Sequence, residues 1–377
     1  MRIGLNGTCF DARPSGANQR FRGLYGALIR QCPDIEFVIY ESRNFAVSTW
    51  FADASNVMVR KTCLKSGVKR GALGAGRHLH GMIAGDRLDL YNGFNLPLVD
   101  TADCCPSILT VHDLRRLQPE RPLLVRSAYA LFLRKAFARA ACIITVSQAI
   151  REEILAFMPQ MRVEVVYNGV DAPASIPEMH RPDAPPGGVA AVDRVPLILS
   201  VGHLEQRKNF PALVEAVARL RLAKRSVKLA IVGRDNGARH ELLAAIARCR
   251  VADDVTIFEN IGEAGLRELY RAASVFVMPS TYEGFGIPIL EAMAAGTPMA
   301  LSAIPAFTEI TQCRGRYFDP SDPADISRVV VQIIDNPSVR KDLVDYGYAR
   351  VGDFRFDALA RQLEAIMRET VRIRGYR

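Results

Sequence analysis

VFVMPSTYEGFGIPILEAMAAGTP, residues 275–298, is the stretch that decides the architecture. Its first four residues are an unbroken apolar run, the mark of a strand buried in a sheet. Gly284 and Gly286 follow, and residues without a Cβ let backbone N–H groups approach a ligand closely. Pro288 suits the first turn of a helix. A helix start offers unpaired N–H donors and a partial positive charge to an anion. Two carboxylates stand eight positions apart, Glu283 on the loop and Glu291 about a turn into the helix. Strand, glycine loop, helix and paired acids read together as a site for a long, polar, phosphorylated ligand.

Outward from this unit the same rhythm repeats. Short β-branched runs alternate with helical patterns, which predicts parallel sheets wrapped by helices. In the first half the expected strands are 2–6, 36–40, 56–60, 88–91, 107–111, 142–146 and 163–166, with Ser147 as a helix N-cap. In the second half they are 197–201, 228–232, 255–258 and 275–278, with Asn209 capping a helix and residues 325–369 helical in pattern. Residues 172–196 hold six prolines and two adjacent glycines, with little to form a core. The expected division is a Rossmann-like domain at 1–175, a Pro-rich linker at 176–195, a second Rossmann-like domain at 196–353, and a last helix in 354–377. Ligands of such sheets bind at the carboxyl ends of the strands, where every motif named here falls.

A chain of 377 residues, 49% hydrophobic, fits two globular domains. No apolar run reaches the ~20 residues needed to span a bilayer. The start, MRIGLNGTCF, has no basic, apolar leader and reads as a first strand, so the expected location is cytoplasmic. The eight cysteines show no metal-ligand spacing and read as reduced, mostly buried thiols, and His78, His80, His180 and His240 show no constellation. The net charge is +9, and residues 1–190 carry 23 Lys+Arg against 17 Asp+Glu. One basic group is Arg60, Lys61, Lys65, Lys69, Arg70 and Arg77; a second runs from Arg115 to Arg139. Such clusters are either solvated faces or surfaces for anionic lipid headgroups on the inner face of a membrane. No helix-turn-helix, RNP-type or zinc motif accompanies them, which leaves nucleic acid unsupported.

The 281–298 stretch resembles the E-x7-E signature of the retaining, nucleotide-sugar-dependent glycosyltransferases of family 4. VGHLEQRKNF (201–210) is similar to that family's phosphate-binding segment, TVHDL (110–114) to its donor-sugar segment, and ITVSQAI (144–150) and VYNGVD (166–171) to further landmarks. The order and spacing hold across roughly the whole chain. The resemblance implies an α/β GT-B fold: two Rossmann-like domains facing across a cleft, the last helix crossing back onto the first domain. It also implies a hexosyltransferase, with TVHDL and LEQRKN most similar to mannosyltransferases and GDP-mannose the first choice of donor. UDP-glucose or another hexose donor is the alternative. The acceptor is expected to be a glycan or lipid-linked, in lipopolysaccharide or exopolysaccharide synthesis.

A departing nucleoside diphosphate needs its charge stabilised. No D-x-D pair occurs in the chain, so the usual metal signature is lacking, and the expected cofactor set is empty of metal. Fixed positive charge and backbone N–H groups are the other route. Arg207 and Lys208, just after a strand, supply it: Arg grips phosphate in bidentate fashion and Lys acts as a point charge. The resemblance assigns Glu291 to the ribose, Glu283 to the sugar hydroxyls, and Phe285 and Gly286 N–H groups to the diphosphate or sugar. It puts His112 beside the transferred sugar and Gly16 in a loop near the diphosphate, although Ala17 and Asn18 stand where a second glycine is common. Asp113 is expected to orient its loop. His203 stands where many relatives carry Arg, and contact with phosphate remains open to it. The plainer alternatives are basic residues facing water for Arg207 and Lys208, exposed acids stabilising a helix dipole for Glu283 and Glu291, and a structural histidine for His112.

G-x-G-x-x-G is absent after the first strand, which counts against a dinucleotide enzyme. No acid is obviously set as a covalent nucleophile, so retention implies front-side attack. Two other classes remain in view. A GT-B-type UDP-N-acetylhexosamine 2-epimerase would need no acceptor, whereas a non-catalytic binding protein would turn over no donor.

Overall fold

The computed structural model describes residues 1–13, 15–66, 72–94, 99–171 and 195–375. The chain divides into two compact units, Met1–Asp171 with Arg355–Arg377, and Ala172–Phe354. The expected linker at 176–195, apart from Val195, lies outside the described residues, as do Lys69, Arg70 and His180.

The first unit is built on seven parallel strands: β1 Arg2–Asn6, β2 Glu36–Glu41, β3 Val57–Lys61, β4 Leu90–Phe94, β5 Ser107–Val111, β6 Cys142–Thr145 and β7 Val163–Val165. Their order across the sheet is β3-β2-β1-β4-β5-β6-β7. Its helices are α1 Gly16–Arg20, α2 Gly26–Gln31, α3 Ala72–Asp86, α4 Leu123–Arg139 and α5 Gln148–Phe157, with one π-helical turn, Phe21–Tyr25, joining α1 to α2. Phe10, Phe21, Tyr25, Phe37 and Phe94 fill the core on one face of the sheet. Ser147 caps α5 as expected, accepting from the Ile150 N–H.

The second unit holds β8 Leu197–Val201, β9 Lys228–Val232, β10 Val255–Phe258, β11 Val275–Met278, β12 Met299–Ser302 and β13 Arg316–Phe318, in the order β10-β9-β8-β11-β12-β13. Around them lie α6 Phe210–Leu222, α7 Arg239–Cys249, α8 Glu263–Ala272, α9 Ile287–Ala295, α10 Pro305–Ile310, α11 Pro323–Asp335 and α12 Pro337–Val351. Leu213, Val217 and Leu220 of α6 pack with Ile326, Val330 and Ile333 of α11 over Ile198, Leu229 and Ile231.

The final helix, α13 Phe356–Gly375, belongs to the first unit. Leu359, Leu363 and Met367 enter that core, and Gln362 donates to Val165 O at 2.8 Å. A Cβ on Gly23 would fall 2.1 Å from the Phe356 ring, so glycine there makes room for the helix start.

Several expectations need correction. β4 begins at Leu90, not at 88: Leu88 is a buried lead-in, and the ladder to β1 starts at Ile3 opposite Leu90. Asn56 lies outside β3, because its amide donates to the carbonyls of Ile29, Cys32 and Ile35. β12 and β13 were not expected. Asn209 occupies the cap position of α6 without capping it: it sits at φ 54° and its amide donates to Pro320 O at 2.7 Å.

Candidate active site

In the second sheet the connections run outward in opposite directions from β8 and β11, which lie side by side. That reversal opens a crevice beyond the strands' carboxyl ends, the place where open α/β sheets take their ligands. The loop leaving β8 carries His203, Arg207 and Lys208. The loop leaving β11 carries Ser280, Glu283 and Gly286. Thr281 N–H donates to Arg207 O at 2.9 Å and splices the two loops.

The charged groups meet there. Lys208 Nζ is 2.6 Å from Glu283 Oε1, and Arg207 Nη1 is 2.5 Å from Glu283 Oε2. Arg207 Nε is 2.7 Å from Glu205 Oε2, and Ser280 donates to Glu283 Oε1 at 3.0 Å. Lys208 is threaded past Gly202, where a Cβ would lie 2.9 Å from Lys208 Cε. Two cations and two carboxylates thus balance at one spot. Burial by itself would raise the Glu283 carboxyl; Lys208 and Arg207 outweigh it and bring it down to about 2. Burial, with Arg207 beside it, pulls the Lys208 ammonium below its usual value although Glu283 opposes this. Burial likewise lowers His203, with Glu205 pulling upward and Lys208, Arg234 and Arg207 pushing down. Both cations are held in place by these carboxylates.

Gly286 turns the β11 loop into α9. Its φ of 146° is one that L side chains rarely adopt, and a Cβ would press on Ile289 Cδ1 at 2.9 Å. Phe285 turns its ring inward, 5.9 Å from the Phe354 ring and nearly perpendicular to it. Glu291 is partly buried on α9, and Oε2 of its carboxylate accepts from Tyr270 Oη at 2.9 Å.

In the first unit, His112 follows β5 directly and is half-buried. Burial first, then the charges of Arg20 and Arg115, pushes its imidazole down to about 3, so the ring is neutral at ordinary pH. Asp113 Oδ1 accepts from Arg115 N–H at 3.1 Å and closes a tight turn after the histidine. Gly16 opens α1, whose N-cap Ser15 accepts from Asn18 N–H. Asn18 does what the missing glycine cannot: its amide pins the preceding loop through Asp11 O at 2.7 Å and Arg13 O at 3.0 Å.

Sequence reasoning missed four participants. Glu205 shares Arg207, and only its position two residues upstream hinted at that. Ser280 and Tyr270 hold the two acids. Arg20 is 1% exposed and reaches Val166 O, Tyr167 O and Asn168 Oδ1, tying α1 to the residues after β7; burial brings its guanidinium down to about 10. A lone arginine carries no sequence signal for such a role. The expectation that His80 shows no constellation is corrected: it bonds Asp100 O at 2.7 Å and lies 3.4 Å from Asp103, beside Cys104. Burial and Asp103 raise the Cys104 thiol, whose Sγ faces Thr101 O.

Residues 188–350 match the family model described as Glycosyl transferases group 1, and residues 15–172 match Glycosyltransferase Family 4. An uncharacterized glycosyltransferase of Methanocaldococcus jannaschii is 28% identical over 244 residues, 62% of this chain and 61% of that protein. The MMP alpha-(1->4)-mannosyltransferase of Mycolicibacterium hassiacum is 31% identical over 238 residues, 61% of this chain and 54% of that protein. The chain therefore spans less than two thirds of the length of these relatives. Among solved structures, sucrose-phosphate synthase from Thermosynechococcus elongatus has a TM-score of 0.75 at 19% identity, covering 98% of both chains. HepE of Anabaena, solved with UDP-glucose, has a TM-score of 0.72 at 19% identity, covering 98% of this chain and 100% of that one. With a glycosyltransferase family model on each half and a shared fold over nearly its full length, the chain is like the family 4 glycosyltransferases and has the GT-B fold.

Proposed function

We propose that this protein is a retaining glycosyltransferase that moves a hexosyl group from a nucleotide-diphospho sugar to a glycan or lipid-linked acceptor. The observation that carries the reading is the Arg207–Lys208 pair beside Glu283 at the β8/β11 crevice. The diphosphate lies against these cations and the start of α9, so the developing charge is met by groups already in place. Glu291 takes the ribose and Glu283 the sugar hydroxyls. His112, neutral, offers a hydrogen bond to the transferred sugar. The anomeric carbon–phosphate bond breaks as the acceptor oxygen bonds on the same face, and the acceptor proton passes to the leaving phosphate. Two fixed cations suit this step without a divalent metal.

Mannose from GDP-mannose is the first donor reading, supported by the mannosyltransferase relative. UDP-glucose is the second, supported by the sugar nucleotide in the HepE structure. A thermal-shift panel of GDP, UDP and ADP separates them, since a ligand that binds only the native state raises the melting temperature. The reading stands if one diphosphate stabilises the protein and the matching sugar nucleotide is consumed with acceptor. It falls if no diphosphate shifts the melting temperature.

The acceptor side of the proposal rests on α4. Leu123, Leu124, Val125 and Leu131 are exposed there, interleaved with Arg126, Arg134, Lys135 and Arg139. Apolar residues among cations suit the headgroup layer of an anionic membrane. No helix among the described residues is long and apolar enough to cross a membrane.

A further inference from the structure

A carboxylate that grips two adjacent hydroxyls must present its oxygens in one fixed plane. A glutamate has three side-chain torsions with which to lose that orientation, and each one frozen before the ligand arrives is a cost removed from binding. On α9, Glu291 has a neighbour suited to freezing them. Tyr270 Oη donates to Glu291 Oε2 at 2.9 Å. The tyrosine is itself immobile: it is 2% exposed, its ring lies 5.6 Å from that of Phe276 on β11, and its carbonyl accepts from Thr297 Oγ1 at 2.7 Å. α8 thus plants a rigid phenol beneath an acid borne by α9. Burial and the adjacent Glu291 raise the phenol well above its ordinary value, so it keeps its proton and is a donor at every working pH. One lone pair of Oε2 is taken by the phenol.

We infer that Tyr270 is a positioning residue, fixing the Glu291 carboxylate for the two ribose hydroxyls of the donor nucleotide. The inference rests on the ribose reading of Glu291 and goes beyond it, since a tie between α8 and α9 would hold the fold together without affecting ribose recognition.

The test uses the full chain and two ligands, the preferred nucleoside diphosphate and its 2′,3′-dideoxy analogue, titrated by calorimetry. Wild type should prefer the ribose form by about tenfold or more, the size of a lost charge-assisted hydrogen bond. In Tyr270→Phe that preference should shrink by at least about threefold, with affinity for the dideoxy form unchanged within about twofold. Glu291→Gln should abolish the preference, and adding Tyr270→Phe to it should change nothing further. An undiminished preference in Tyr270→Phe, whatever happens to its melting temperature, overturns the inference while leaving Glu291 in place. No preference in wild type overturns the ribose reading and this inference with it. If neither Tyr270→Phe nor Tyr270→Met folds, the residue is structural, and the inference is overturned as well.

Discussion

The ammonium of Lys208 stands 2.6 Å from Glu283 Oε1, with the two side chains only 9% and 10% exposed. Arg207 shares the same carboxylate, so one acid restrains both cations. Glu283 therefore has two effects of opposite sign. It makes burial of the cations tolerable, and it competes with an incoming phosphate for them.

Glu283→Gln separates these effects. Removing one partner of a buried ion pair costs roughly 3 kcal/mol, because the remaining charges lose compensation. The variant should melt well below wild type. Its melting temperature should nevertheless rise more on adding nucleoside diphosphate, since phosphate then restores the missing negative charge. A smaller rise than in wild type, measured by differential scanning fluorimetry, would mean that Glu283 does not compete with the diphosphate for these cations.

Lys208→Ala and Glu291→Ala probe the two ends of the donor. Each should lower donor turnover by at least about tenfold, roughly 1.4 kcal/mol of transition-state free energy. Initial rates at saturating acceptor provide the measurement, and near-normal activity in both variants removes the site assignment. Lys208→Arg keeps the charge but cannot follow the narrow path over Gly202, so it should recover only part of the loss.

The frame of both sheets is legible in the sequence because parallel strands covered on both faces appear as continuous apolar runs. β12 and β13 escape notice for a related reason. Met299–Ser302 is short and ends in serine, while Arg316–Phe318 is three residues long and is held as a strand by its register, Ala300 opposite Arg316. Within the site, Arg207, Lys208, Glu283 and Glu291 stand out because each lies just beyond an apolar run or a glycine loop. Their partners do not: Tyr270 lies 21 positions before Glu291, and nothing in the spacing brings that phenol onto that carboxylate. Arg20 and Asn168 are 148 positions apart, and only the folded sheet joins them.

His112 gives a pH test. Its imidazole, ordinarily near 6.5, is pushed down to about 3 in the folded chain. A group lowered by folding favours the native state fully above its unfolded pKa, and that contribution drains away as pH falls toward the folded value. Between pH 7.5 and 5 wild type should therefore lose stability on the order of 1 kcal/mol more than His112→Asn. Urea unfolding at the two pH values checks this. Equal losses would mean that the imidazole titrates normally. The same neutrality predicts that no limb near pH 6.5 in the kcat/KM profile belongs to this residue.

Two cations held at the crevice should make a divalent metal dispensable for the departing diphosphate. Turnover in EDTA should remain within about twofold of the untreated rate. Complete loss, restored by Mg²⁺, would show that the charge on Arg207 and Lys208 is insufficient alone.

α4 sets the last test, because its exposed residues are of two kinds that respond differently. Leu124, 85% exposed, can gain from leaving water only if something apolar covers it, whereas Arg134 and Lys135 act at a distance and weaken as salt screens them. Anionic vesicles should therefore bind the chain, neutral ones should not, and rising salt should release it. Leu124→Glu both removes apolar area and adds a repelled charge, so it should weaken vesicle binding by about tenfold while leaving the melting temperature unchanged, since a side chain this exposed contributes little to the core. Arg134→Glu with Lys135→Glu should flatten the salt dependence. Equal binding to neutral and anionic vesicles, or a Leu124→Glu variant that binds like wild type, would reassign this face to ordinary solvent contact.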